Sequence, residues 1–512
     1  MTHHVANLAA GFLLRVVQVL VDSSLYLVIG FLTAGAIRAM VGPDRTRRLF
    51  GSGRVAAPLR AWLAATTLLP TCALGVLPVL QEFRRAKVPR HAVLTFALAA
   101  PMLNPISLIS CLSYLGPNLI LVLLLGSLLV SVGAGVALGP GREPRTDEAD
   151  DEFITDAPGR LGRATTQAAR AATGPILRDV AAGLIGAGVM AAALSPSYLA
   201  ASMFEGDRWA IGRMATIAPL TYATPDKAMA TLPEMVKFRQ SAGAMFVLVA
   251  LGVGMTLGHL TWAARAYGIR AAARWLAVAF ALTLAVAHGV AEITPAVGTA
   301  NADNDHLNEF ANEFEGAEQW PTYASIAGRY AREVEPFRWA TLGALAGLVA
   351  AGAYCRATGR LGPPHAGLAP EPARRPAWDR PLPPRLVAAA GSCLMLAIGV
   401  VGAYTYFPPP AEVFEDMNII KADFFGELGR KSLDPARHHL DLWERQAAKL
   451  TTGSLIRLAP ASGEARRLTD ALRADRRRLR AALDADKPAE ARALSMEVFK
   501  VLGRCKLAYG RP

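Results

Sequence analysis

The chain has 512 residues, of which 53% are hydrophobic and 19% are charged, and its mean hydropathy is +0.29. This composition excludes an ordinary soluble protein and favours one that crosses a membrane several times. The formal net charge of +13 does not indicate nucleic-acid binding, because the basic residues flank apolar segments and no nucleic-acid-binding motif accompanies them.

Apolar runs that could span a bilayer recur along the chain, and a span needs about 20 residues. Together with two proline-broken segments and the helix after Pro89, they predict an all-α polytopic membrane protein. We expect about ten transmembrane segments, an internal repeat with broken helices, and a soluble helical bundle at the C-terminus. The apolar runs are residues 25–40, 119–138, 179–194, 242–260, 275–290, 339–353 and 386–404.

The first apolar stretch, residues 5–41, is longer than the apolar region of a signal peptide. We therefore expect it to form one or two membrane helices that end at Gly42 and Pro43. The basic loop that follows, residues 42–55, is expected on the cytoplasmic face.

Residues 69–108 are apolar but interrupted by Pro70, Pro78, Pro101 and Pro105. Each proline removes a backbone donor, and in hydrocarbon the freed carbonyls need partners inside the protein or in a water-lined cavity. Broken helices near the middle of the bilayer are typical of a transporter's substrate site. The alternative is a set of kinked helices that only shape the packing.

These residues also carry a family resemblance. The run Pro70–Pro78, PTCALGVLP, resembles the P-x-C-S-C-G-V-x-P signature of predicted permeases of the YraQ/ArsP type, one branch of which exports trivalent organoarsenicals. Residues 96–105, FALAAPMLNP, resemble the family's A-F-L-x-A-x-P-x-x-N-P segment. Cys72 matches the first motif cysteine, whereas Leu74 replaces the second, so no thiol pair is expected. The resemblance covers residues 20–297 and implies a solute permease.

The second half of the chain repeats the order of proline break, basic patch and Phe-bearing helix. Pro219 follows Pro70 by 149 residues, and Phe246 follows Phe96 by 150. Paired broken helices in two halves point to a central site in secondary transporters. We favour an inverted repeat with a re-entrant first motif, because both basic loops of the first half are then cytoplasmic. A parallel repeat remains open.

Polar groups in the broken segments are the candidate pathway residues, because they could replace the water shell of a solute. A thiol and an amide suit a soft or polar solute. Ionisable side chains at membrane depth usually face a cavity or one another, so Asp226 could carry a coupling proton or form an interfacial pair with Lys227. The predicted substrate-binding or pathway residues are Thr71, Cys72, Gly75, Pro78, Asn104, Pro105, Thr221, Tyr222, Pro225, Asp226 and Lys227.

Enzymatic motifs and metal-ligand spacings are missing from the sequence. Neither H-E-x-x-H nor G-x-S-x-G occurs, so we expect no enzyme and no catalytic residue. The five cysteines include no C-x-x-C pair and no zinc spacing. We therefore expect no metal site and no cofactor.

The sequence predicts six regions and two rival functions. The leading hypothesis is a permease that moves a small solute, such as a metal or metalloid species, by alternating access. The alternative is a membrane scaffold or sensor that serves the C-terminal helices. Expected partners are the lipid bilayer, the solute and a protein bound by the C-terminal domain, with no nucleic acid. We expect a multi-pass cell-membrane protein with its C-terminal domain outside. The regions are a first permease repeat (1–138), a polar linker (139–173), a second repeat (174–297), an external acidic loop (298–335), two further transmembrane helices with a Pro-rich basic linker (336–408) and a soluble helical bundle (411–512).

Overall fold

Apolar helices form the frame of the computed structural model, as expected where a backbone must satisfy its hydrogen bonds without water. In the described residues five helices are long and apolar enough to cross a membrane, or six if the bent pair Ala242–Val253 and Leu257–Tyr267 is one span. The same residues contain no strand, apart from an isolated bridge between Phe204 and Gln240. The predicted all-α membrane architecture is therefore confirmed.

The structure describes residues 2–105, 107–108, 117–140, 159–195, 198–199, 202–204, 207–237, 240–293, 311–314, 320–358, 400, 404, 407–430, 433–457 and 461–509. The count of about ten spans stays a prediction. Helices beside the proline breaks are too short to cross a bilayer alone, and residues 386–399 of the last predicted run lie outside the described residues.

The chain divides into two compact units. The first comprises residues 1–111, 115–296 and 301–395, and the second comprises residues 112–114, 297–300 and 396–512. Helices of the first unit are α1 Thr2–Ala36, α2 Pro43–Phe50, α3 Ala56–Leu68, α4 Leu77–Arg85, α5 Arg90–Met102, α6 Pro117–Leu138, α7 Gly159–Ala172, α8 Ile176–Ala193, α9 Ala210–Ile217, α10 Pro225–Lys237, α11 Ala242–Val247, α12 Leu257–Tyr267, α13 Ile269–Ile293, α14 Trp320–Glu333 and α15 Pro336–Ala357. Helices of the second unit are α16 Pro410–Gly429, α17 Leu433–Ile456, α18 Gly463–Asp484 and α19 Pro488–Tyr509.

Helix α1 is the central element of the first unit. It is 35 residues long, packs against α4, α7, α8 and α15, and ends in a π-helical turn at Ile37–Val41. Its buried face is not wholly apolar, because the side chains of Arg15, Gln18 and Asp22 are buried on it. Residues three and four apart share a helix face, so these groups form one polar row along α1.

The proline breaks predicted from the sequence interrupt the helices in both halves. Residues 69–76 separate α3 from α4, which have 13 and 9 residues. Residues 218–224 separate α9 from α10, which have 8 and 13 residues. Pro78 and Pro225 lie in the first turns of α4 and α10, where a missing backbone N–H costs no helical hydrogen bond.

Part of the predicted polar linker, residues 139–173, is helical. Helix α7 lies in it, while residues 141–158 are outside the described residues. Ala164 and Ala168 are buried, and a side chain on Gly35 of α1 would lie 2.2 Å from the Ala164 carbonyl oxygen. Small residues let two helices approach this closely. Composition alone indicated a flexible connection, because alanines carry little pattern of their own.

The four helices of the second unit share one hydrophobic core, which includes Phe414 and Trp443. A polar contact lies within it: the Thr469 hydroxyl is 3.2 Å from the Tyr509 hydroxyl and 3.6 Å from the Cys505 thiol. Burial raises the pKa of the Cys505 thiol above its ordinary value, because desolvation disfavours the thiolate. This cysteine is therefore a protonated core residue at neutral pH.

Candidate functional site

The two proline-broken stretches of the first half are joined by a side chain. Asn104 is buried just beyond the end of α5, and its Nδ2 donates to the Thr71 carbonyl oxygen over 2.8 Å. Asn104 and Ser107 also cap one another: the Asn104 N–H donates to Ser107 Oγ over 2.8 Å, and the Ser107 N–H donates to Asn104 Oδ1 over 2.9 Å. Side chains thus satisfy the backbone groups that the breaks set free.

Asn104→Ala will test this link. The substitution leaves the buried Thr71 carbonyl and the Ser107 N–H without their partner, and an unsatisfied buried group costs about 1–3 kcal/mol. We expect a corresponding loss of free energy of unfolding in detergent, measured by denaturant titration. The control is Thr67→Ala, which removes an exposed hydroxyl bonded to the Leu63 carbonyl of its own helix. Equal stability of the two variants would contradict the link.

The first break packs tightly against α1. A Cβ added to Gly75 would lie 2.4 Å from the Tyr26 carbonyl oxygen, and one added to Gly30 would lie 1.9 Å from the Gly75 carbonyl oxygen. No side chain fits at either position without movement of the backbone. This approach places Cys72, which is fully buried and accepts from the Gly75 N–H over 3.3 Å, beside the middle of α1.

The second break meets the same part of α1. The Tyr222 hydroxyl is 2.9 Å from the Ser23 hydroxyl and interacts with the Cys72 thiol, and Arg15 donates to the Tyr222 carbonyl. Two predicted residues from different halves, Cys72 and Tyr222, are therefore brought together.

Four charged side chains form what we call the ionic cluster: Asp22, Asp226, Lys227 and Arg338. Asp22 accepts from Lys227 Nζ and from Arg338 Nη1, each over 3.0 Å. Asp226 accepts from Arg338 Nη2 over 2.7 Å and from the Tyr26 hydroxyl over 3.0 Å. The neighbouring Asp226 and Lys227 thus each bind another element, because successive helix positions point about 100° apart.

Three contributors to this site, Arg15, Asp22 and Arg338, are not among the residues predicted from the sequence. The first two lie in a stretch that was interpreted as simply apolar, although Arg15, Gln18 and Asp22 follow the three- and four-residue spacing of one helix face. That spacing was the available signal. Arg338 lies at the start of an apolar run and had no such signal, because a basic residue there is usually an interfacial anchor.

A small cavity adjoins the ionic cluster. Its volume is about 10 Å³, which is room for about one water molecule. In this conformation the cluster is therefore closed around its own side chains. The cavity is lined by Arg15, Val19, Asp22, Tyr222, Ala223, Thr224 and Lys227.

Two further predicted residues, Thr221 and Pro105, support the local backbone structure. The Thr221 hydroxyl donates to the Ile217 carbonyl over 2.9 Å, which closes the end of α9. Pro105 is buried directly after Asn104. Among the described residues no group of three or more His, Cys, Asp or Glu side chains could hold a metal ion.

A second buried ion pair lies away from the ionic cluster. Asp179 on α8 contacts Arg265 on α12 and accepts from the Thr261 hydroxyl over 2.9 Å. Its side chain is 1% exposed. The pair joins two helices of the second half and touches none of the predicted site residues, so it is a packing feature.

Comparison with known proteins gives one family and two partial relatives. The family ArsP_1, described as predicted permease, matches residues 9–290. A Streptococcus mutans protein named as a proposed subunit of a two-component membrane permease complex is 23% identical over 124 residues, which are 24% of this chain and 41% of that protein. The UPF0718 protein YcgR of Bacillus subtilis is 30% identical over 116 residues, 23% of this chain and 39% of YcgR. The chain thus spans about two fifths of each relative. No solved structure matches it.

Proposed function

The chain belongs to this family of predicted permeases, and we propose that its solute crosses the membrane where the ionic cluster meets the two proline breaks. Family membership and the apolar helices support a membrane permease rather than an enzyme. One observation carries the location: α1 meets both breaks. It approaches the first where Gly30 lies against the Gly75 carbonyl, and it binds the second through Asp22 to Lys227 and through Ser23 to Tyr222. Buried charges at membrane depth are costly and are usually functional.

The order of helices supports an internal repeat. In each half, leaving aside α2 in the first and α12 in the second, a long helix is followed by a short helix, a proline break, two short helices and a further long helix. The series α1, α3, α4, α5 and α6 corresponds in this way to α8, α9, α10, α11 and α13. The helices on either side of each break are shorter than the roughly 20 residues of a span. Their lengths support re-entrant segments, and hence the inverted form of the repeat.

The small cavity supports alternating access as the proposed mechanism. A site with room for about one water cannot hold a solute of several atoms, so transport requires a second conformation in which the breaks separate. The solute's chemistry is proposed from the groups around the ionic cluster and the two breaks: one thiol, two tyrosine hydroxyls and charges of both signs suit a polar or soft species, including a metal or metalloid. A single buried thiol provides one soft ligand.

The scaffold or sensor hypothesis has one observation in its favour. The second unit has a hydrophobic core of its own, which the permease function does not require. We also propose a protein partner, because the Streptococcus relative is named as part of a two-component complex. The proposed location is the cell membrane with the C-terminal domain, residues 411–512, outside. Deletion of residues 411–512 separates the two functions: export that survives the deletion contradicts the scaffold.

An export assay tests the proposed site. Cells producing the chain are loaded with a panel of metal, metalloid and organoarsenical species, and accumulation is compared with that in cells producing Cys72→Ser or Asp226→Asn. We expect lower accumulation of at least one species with the wild type, and loss of that effect in either variant. Cys505→Ser, in the core of the second unit, is the matched control and should export normally. Export of a species that neither substitution affects would contradict the proposed site.

A further inference from the structure

Arg338 does not belong to the segment that defines the family. The family match ends at residue 290, whereas Arg338 lies in α15, which begins at Pro336. Its guanidinium nevertheless occupies the centre of the ionic cluster and its side chain is 16% exposed. A helix outside the family segment thus supplies a charged group to the proposed solute site.

The guanidinium binds two elements at once. Nη1 contacts Asp22 of α1 over 3.0 Å, and Nη2 contacts Asp226 of α10 over 2.7 Å. The planar fork of arginine suits such a bridge, whereas the point charge of a lysine does not present two separated donors in one plane. Asp22 belongs to the long first helix, and Asp226 begins the helix after the second proline break. Together with the Lys227–Asp22 ion pair and the Tyr26–Asp226 hydrogen bond, Arg338 therefore holds the two parts of the core that must separate during alternating access.

Helix α15 is lightly packed along most of its length. Among the five candidate spans, α15 has the smallest buried share in its most apolar window, 11%, against 22–50% for the others. Leu345 and Gly352 are its buried residues among those described. Hydrogen bonds also hold α15 in place. The Thr341 hydroxyl lies 2.6 Å from the Ser24 hydroxyl, and Arg356 donates to the Thr173 hydroxyl over 2.8 Å. Movement of α15 away from its neighbours therefore exposes little buried apolar surface.

From these observations we propose that Arg338 is a latch, which keeps the permease core closed until α15 withdraws its guanidinium from Asp22 and Asp226. The inference rests on the proposed function, because it concerns the regulation of the same site. In the latched state Cys72 is inaccessible. Withdrawal removes one of the links between α1 and α10 and leaves contacts such as Asp22–Lys227 and Tyr26–Asp226. The second break then separates from α1 more often, which admits solute and small reagents to Cys72.

The latch is tested by the reactivity of Cys72 in the full chain. Cys111, Cys355, Cys393 and Cys505 are replaced by alanine, and native membranes are treated with N-ethylmaleimide. Arg338→Gln is expected to raise the rate of Cys72 labelling by about tenfold, because removing the bridge increases the population of the open state. In Arg338→Lys the new side chain binds one carboxylate at a time, so the rate of Cys72 labelling should lie between those of the wild type and Arg338→Gln. The matched control is Arg47→Gln, which removes a guanidinium that is 54% exposed and paired with Asp44 within α2, with labelling as in the wild type.

Two results would overturn the latch: a Cys72 labelling rate that Arg338→Gln leaves unchanged, or an equal increase in Arg47→Gln. Because Arg338→Gln leaves a carboxylate without its partner, the charge-balanced Asp226→Asn, Arg338→Gln double variant is measured as well and should show the same rise. Loss of folded protein in both variants would also overturn it, since a latch is removable without unfolding the core. Labelling requires no solute, so a rise without export of any species contradicts the proposed function alone.

Discussion

Asp22→Asn is expected to lower the free energy of unfolding by about 3–5 kcal/mol, the usual cost of breaking a buried ion pair, and to reduce export to background. The Asp22 side chain is 5% exposed and binds both Lys227 and Arg338. Asparagine keeps the shape of the aspartate side chain but removes its charge. Within the ionic cluster, Lys227 and Arg338 are then left with Asp226 as their carboxylate. Denaturant titration in detergent and the export assay measure the two effects.

The control for Asp22 is Asp44→Asn, which removes the same charge at the surface. Asp44 is 76% exposed and lies 3.3 Å from Arg47 in the same helix. Exposed pairs of this kind contribute about 0–1 kcal/mol, so stability and export should change little. If Asp22→Asn behaves like Asp44→Asn in both measurements, the ionic cluster is neither a structural nor a transport element.

Gly30→Ala is expected to cause the second large effect, by a steric route. The new Cβ would lie 1.9 Å from the Gly75 carbonyl oxygen and 2.8 Å from the Gly75 carbonyl carbon. Overpacking a core costs about 1–3 kcal/mol when side chains can adjust, and here a backbone must move. We expect a loss at or above that range, together with loss of export, because α1 is pushed away from the first break.

Gly289→Ala is the matched control, since both glycines lie within long apolar helices. A Cβ at Gly289 meets nothing within 4 Å, and alanine is favoured over glycine in a helix by about 1 kcal/mol. The control should therefore be as stable as the wild type or slightly more so. A Gly30→Ala protein with the same stability and export would show that α1 and the first break do not need their close approach.

The helices and their breaks could be predicted from the sequence, because both depend on local chemistry. Pro70 and Pro219 lie in the breaks, Pro78 and Pro225 lie in the first turns of the helices that follow, and the apolar runs are long enough to read directly. The partners of the charges could not be predicted. Asp22 and Arg338 are 316 residues apart, and no local pattern links a carboxylate in one helix to a guanidinium in another.

Asp226 and Lys227 illustrate the same limit within the candidate site. Their position beside a break marked them as important, but the sequence left open whether they form an interfacial pair or each bind another partner. In the structure Asp226 pairs with Arg338, and Lys227 pairs with Asp22. Which ion pairs form depends on how the helices pack. That packing is set by close backbone contacts such as the one between Gly30 and Gly75, which cannot be predicted from either glycine in the sequence alone.

The length of α1 has a consequence for the bilayer around the protein. Thirty-five residues at about 1.5 Å of rise each give a rod of about 50 Å, whereas the hydrocarbon core is about 30 Å thick. Hydrophobic mismatch of this size is relieved by tilting the helix or by extending its ends among the lipid headgroups. Asp22 lies near the midpoint of the rod, so membrane thickness and tilt set the depth at which the ionic cluster lies.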